Sequence, residues 1–148
     1  MSETQPSRVI RLLTGYYGVL QSIHLVLLAR AGWYLFQKQP LPFPASPPPG
    51  GWPGPVLPYL LGMGIVDVFA IGLGLVFAYI FFIRKEINIV LGLSSLTAAL
   101  SSGVVYLVGT IPSGAWGENP LSYLAVLLLF SPVLPLYYSL VRHALRKV

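Results

Sequence analysis

Four long apolar stretches govern what this 148-residue chain can become. The first runs from Leu12 to Phe36, and His24 and Arg30 are its only ionisable groups besides tyrosines. The second, Val56 to Ile83, contains one charge, Asp67. The third, Ile87 to Ile111, and the fourth, Leu121 to Val141, carry none. Each exceeds the roughly 20 residues that cross about 30 Å of hydrocarbon at a helical rise of about 1.5 Å per residue. A membrane strand would need only about 9–11 residues and would alternate with period two, and these runs do neither. The expectation is an all-α, integral membrane four-helix bundle. It is a single transmembrane domain over residues 1–148, with helices near 12–36, 56–83, 87–111 and 121–141.

Composition agrees. The chain is 55% hydrophobic and only 9% charged, whereas a soluble domain needs about 25% charged residues to keep its surface wet. The net charge of +5 is not a nucleic-acid signature, because the basic residues sit singly or in pairs at the edges of the apolar runs. With no cysteine, disulfides, thiolate chemistry and cysteine-ligated metal centres are excluded.

The basic residues set an orientation. Arg8 and Arg11 precede the first run, Arg84 and Lys85 separate the second and third, and Arg142, Arg146 and Lys147 follow or close the fourth. With four crossings these share one side, and only Arg30 and Lys38 fall toward the other. Positive flanks stay in the cytoplasm, so both termini are expected there, in a plasma or inner membrane. Tyr16, Tyr17, Tyr137 and Tyr138 would form the inner aromatic belt, and Trp33, Tyr34, Trp52, Tyr59 and Trp116 the outer one. Met1 to Ser7 is polar, and the run after Arg11 is too long for a cleavable signal core of about 7–15 residues. The first run therefore reads as an uncleaved helix.

The segment Gln37–Pro58, with residues 37–55 as the external loop proper, holds nine prolines and the glycines Gly50, Gly51 and Gly54. Such density forbids helix and favours an extended strap. It is either a docking strap, with Phe43 and Trp52 as anchors, or a stiff connector resting on the membrane interface. The next link, Arg84–Glu86, is short enough to force an antiparallel hairpin of the second and third helices.

Inside the membrane the informative residue is Asp67. A carboxylate near a helix centre costs about 2.5–3.5 kcal/mol on insertion scales and so faces protein or water. Its helical face also carries Met63, Gly64, Ala70, Gly74 and Ala78, small side chains that let another helix approach. Asp67 lies 17 residues from Arg84, about 25 Å of helix. His24 and Arg30 lie 13 and 19 residues from Arg11, about 20 and 28 Å, and so bracket it in height. They point about 120° apart and cannot both face it. His24 shares a stripe with Tyr17, Gln21, Leu28 and Ala31. The candidate polar cluster is Asp67 with His24 or Arg30, either a proton- or ion-handling pair or a buried contact that registers two helices. A relay ordinarily has more members than two.

On the third helix Gly92, Ser95, Ala99, Ser102 and Tyr106 fall on one stripe, a close-packing face or a polar lining. With Gly64, Gly74 and Ala78, the residues Gly92, Ser95, Ala99 and Ser102 make the candidate helix-packing set. Pro132 and Pro135 should kink the fourth helix, and Ser131 can satisfy part of the freed backbone. His143 is too far from His24 to share a haem, no metal spacing occurs, and Asp67 has no carboxylate partner. No cofactor, metal or catalytic group is expected. The expected partners are the lipid bilayer and other membrane subunits or further copies of the chain, not nucleic acid. A small non-catalytic accessory subunit is the leading expectation from sequence. The alternative is a small oligomeric transporter or channel using Asp67 and His24.

Overall fold

The computed structural model describes residues 7–39 and 56–146. Most of the proline-rich strap, with Phe43 and Trp52, lies outside the described residues, as do the ends of the chain. The described residues are all-helical, without strands, and four helices are long and apolar enough to cross a membrane: Arg8–Phe36, Pro58–Arg84, Ile89–Gly109 and Pro120–Leu145.

Helix α1 (Arg8–Phe36) begins four residues before the apolar run, because the Ser7 hydroxyl accepts from the Ile10 amide and caps it. Helix α2 (Val56–Tyr79) widens into a π-helical turn, Ile80–Arg84, and stops where Lys85 adopts a left-handed backbone at φ 59°. Pro58, read from sequence as strap, sits in the first turn of α2, where a missing N–H is tolerated. Helix α3 (Ile89–Gly109) starts at Asn88, whose side chain accepts from the Leu91 amide. The turn between α2 and α3 thus lies over 85–88, slightly later than the sequence places it. These two helices share the most extensive contact in the molecule.

After α3 come a short 3₁₀ turn (Ile111–Ser113) and the four-residue helix α4 (Ala115–Glu118). The fourth long segment is two helices, α5 (Pro120–Phe130) and α6 (Val133–Leu145). The break falls at Ser131–Pro132. Pro132 has no N–H to give to Leu128, and the Ser131 hydroxyl donates to that carbonyl instead, at 2.9 Å. Pro135 opens no second break, since it lies in the first turn of α6 and the Leu134 amide reaches the Ser131 carbonyl.

Two cores follow. Tyr17 and Leu20 of α1, Ala70 and Phe77 of α2, Leu96 and Ala99 of α3, and Val133, Leu136 and Leu140 of α6 fill one end. We call this the hairpin end, since it carries the α2–α3 turn, the start of α1 and the end of α6. At the strap end, Leu60, Tyr106, Ala115 and Tyr123 form a smaller cluster. Tyr17 is fully buried, so it belongs to the core and not to the aromatic belt expected for it.

Candidate functional site

Asp67 points into the bundle. The packing of α2 on α1 and α3 is close because Gly18 meets Ala78 and because Gly74 has no side chain. A Cβ at Gly74 would lie 2.8 Å from Ser95 Oγ and 3.0 Å from both Gln21 and Tyr17. That approach carries the face of α2 holding Asp67 against its neighbours, and the residue is 5% exposed. Its Oδ2 lies 3.6 Å from His24 Nε2, longer than the 2.7–3.2 Å of a direct hydrogen bond and close enough for strong electrostatic contact. The Ser102 hydroxyl of α3 hydrogen-bonds the same carboxylate.

Arg30 is not part of this site. It is exposed, its guanidinium lies 5.6 Å from the centre of the Tyr34 ring, and it donates to the Tyr34 hydroxyl at 3.4 Å. The choice between His24 and Arg30 is thereby made: helical phase turns Arg30 away from α2.

Beside the pair is a partly open cavity of about 40 Å³, lined also by Met63, Gly103, Tyr106, Val126 and Phe130. A water needs roughly 10–15 Å³ of such space and two to four polar partners. Asp67, His24, Ser102 and the Tyr106 hydroxyl are polar groups of the right kind. Tyr106 is held by a stack of rings: Tyr123 at 5.3 Å and nearly parallel, then Trp116 on Tyr123 at 4.5 Å. Trp116 is anchored in turn by its indole N–H, which donates to the Leu107 carbonyl at 3.1 Å. The sequence placed Trp116 in a membrane belt and did not single out Tyr123. Nothing in local spacing links α3, α4 and α5.

A second polar network lies toward the hairpin end. Ser95 donates to the Ala70 carbonyl at 2.8 Å, which commits its only proton, so Tyr17 must donate to Ser95 Oγ at 2.5 Å. Gln21 bonds to Tyr17, and because the phenol proton is spent, the amide N–H is the donor. Gln21 Oε1 and Thr14 Oγ1 remain buried without partners. Thr14, Tyr17, Gln21 and His24 are spaced +3, +4 and +3 on α1, one helical face. That spacing was readable, and Thr14 was missed as the member nearest the helix start.

All five residues of the α3 stripe, Gly92, Ser95, Ala99, Ser102 and Tyr106, are buried. Gly92 lies under Phe77 and Leu140, where a Cβ would come within 2.8 Å of each. Gly74 and Ala78 are likewise buried. Gly64 differs: it is half-buried, and a Cβ there would meet only Leu28, at 3.9 Å. It is no point of close approach. Among the described residues no three His, Asp or Glu side chains gather in a way that could hold a metal ion. Compared with protein-family models, curated proteins and solved structures, the chain matches none.

Proposed function

We propose that this chain is a multi-pass protein of the cell membrane, with both ends cytoplasmic, that works as a small transporter or channel handling a proton or small cation at Asp67 and His24. The observation that supports this most is the Asp67–His24–Ser102 cluster opening on a cavity. A buried pair that only registers helices has no need of a cavity. The registration is already provided below it by the Tyr17–Ser95–Ala70 hydrogen bonds and the close contact at Gly74. Intramembrane ionisable groups are rare and mark ion or proton pathways. The proposal gives the chain no catalytic role.

The test is transport by the purified protein in vesicles. Asp67→Asn should abolish movement of the coupled ion while the protein still folds, because the amide keeps the volume and most hydrogen bonds but cannot titrate. Transport by the Asn variant at the wild-type rate would refute the proposal. Orientation is checked by reporter fusions: those after Lys85 and Val148 should read cytoplasmic, and one within Pro44–Pro49 external.

A second reading, an accessory subunit packed against other membrane proteins, has a different support. On the outer face of α2, Gly62, Ile65, Phe69 and Gly72 form one exposed stripe, and a Cβ at either glycine would meet nothing. Such a notched face suits a neighbouring helix. Purification in mild detergent separates the readings. A defined hetero-complex favours the subunit, and a self-contained protein or homo-oligomer favours the transporter.

A further inference from the structure

We infer that the species handled at Asp67 is the proton, and that it travels between Asp67 and the hairpin end along the α1 stripe Thr14–Gln21–His24. The inference rests on the reading of Asp67 and His24 as a titrating centre. The groups facing Asp67 are His24 from α1 and Ser102 and Tyr106 from α3; α5 contributes only Val126 and Phe130, and α2 itself only Met63. A hard metal cation replaces its hydration shell with about six oxygens. This lining offers the two carboxylate oxygens and two hydroxyls, and the rest is apolar carbon, thioether and an imidazole. An imidazole beside a carboxylate is instead a pair of proton acceptors.

The route follows from where hydrogen bonds are spent. Tyr17 gives its proton to Ser95 and receives one from Gln21, so it holds Gln21 in place and has no proton to relay. The orientation leaves Gln21 Oε1 as an acceptor with no donor, although Gln21 is 1% exposed. Thr14 Oγ1, on a fully buried residue one further step toward the hairpin end, is likewise unpaired. A buried oxygen without a protein partner is satisfied by water. Two such oxygens on the helical face of His24 define a file of water between the hairpin end and the imidazole. A proton enters the file as hydronium. It moves by exchange between hydrogen-bonded waters, passes to His24 Nε2 or Asp67 Oδ2, and returns water to the file; no bond between heavy atoms changes. Gln21 and Thr14 are positioning residues that hold this water.

The experiment uses the full chain in vesicles of neutral lipid with a trapped pH-sensitive dye, and measures proton flux after a pH step. Infrared difference spectra of the same samples follow the Asp67 carboxyl band. Gln21→Leu and Thr14→Val should each slow flux about tenfold, the kinetic cost of one lost hydrogen-bonded step, with the carboxyl titration still present. Thr14→Ser, which restores the hydroxyl, should return flux to near the wild-type rate. The Thr14 pair carries the test if Gln21→Leu does not fold. Wild-type flux in both Gln21→Leu and Thr14→Val would overturn the route while leaving Asp67 as the centre. A sodium or potassium gradient that discharges without proton movement would overturn the proton as the species. If no carboxyl band titrates in the wild type, with Asp67→Asn as the reference, the underlying reading of Asp67 fails.

Discussion

At the hairpin end of the bundle, α1, α2, α3 and α6 interlock over Tyr17, Phe77, Leu96, Leu136 and Leu140, all with essentially no exposed surface. Polar groups there are mostly bonded to one another, and glycines are covered so tightly that a methyl would collide. At the strap end, α5 touches α3 only lightly, α1 buries only Ala31 beyond Gln21, and a cavity lies beside the Asp67 carboxylate. Gly64 has room around it, although Gly109 at the end of α3 is covered by the Tyr59 ring. Both halves are built from the same apolar and small residues. The difference lies in where the fourth segment leans. Its break at Pro132 lets α6 pack on α1 and α3, while α5 meets the rest through Tyr123, Val126 and Phe130 and through the Leu129 carbonyl, which accepts from the Tyr16 hydroxyl at 2.6 Å. One half is a scaffold, and the other keeps space for a titrating group.

This contrast can be broken by mutation, with thermal unfolding in mild detergent as the measure. Gly92→Val should be the most damaging change. Its side chain would overlap Phe77 and Leu140, and overpacking of this kind costs about 1–3 kcal/mol or more. Asp67→Leu comes next, at roughly 1–3 kcal/mol, because it leaves polar partners facing a dry wall. Asp67→Asn should cost less than Asp67→Leu. An equal loss for both would mean that the carboxylate is needed for the fold and not only for chemistry. Ser95→Ala removes the acceptor of the Tyr17 proton and one bond to the Ala70 carbonyl. At about 0.6 kcal/mol per interhelical hydrogen bond in a membrane, the loss is about 1 kcal/mol. Gly64→Ala should change stability by less than about 0.5 kcal/mol, since the new methyl meets only Leu28 at ordinary van der Waals distance. A loss as large as that of Gly74→Ala would show that the strap end is packed as tightly as the other. Smallest of all is shortening residues 39–54 to a flexible linker that still spans the gap. Insertion and stability should stay nearly unchanged, and a large drop would show that the strap packs on the bundle.

Much of this was legible beforehand. The four apolar runs, the hairpin of α2 and α3, the inward face of Asp67, the buried stripe on α3 and the role of Ser131 at the proline break all follow from length, periodicity and backbone hydrogen-bond accounting. Helix ends shifted because caps are local: Ser7 starts α1 early and Asn88 starts α3 late. Pro135 was expected to bend the chain, but a proline in the first turn of a new helix meets no carbonyl it must break.

What the sequence determined by itself is one-dimensional: which segments are apolar, which face of each carries polar groups, and at what height Asp67, His24 and Arg30 stand along their helices. Those properties are set by spacing along a helix of known pitch. Which partner Asp67 takes was decided by tertiary structure, because it depends on how α1 is rotated about its axis against α2. That rotation is set by close contacts at Gly18 and Gly74, and a fraction of a turn there would bring Arg30 round and send His24 away. The joining of Ser102 and Tyr106 beside one cavity, with Tyr123 stacked on Tyr106 and Trp116 on Tyr123, was decided the same way. Residues on three different helices have no shared period, and only packing brings them together.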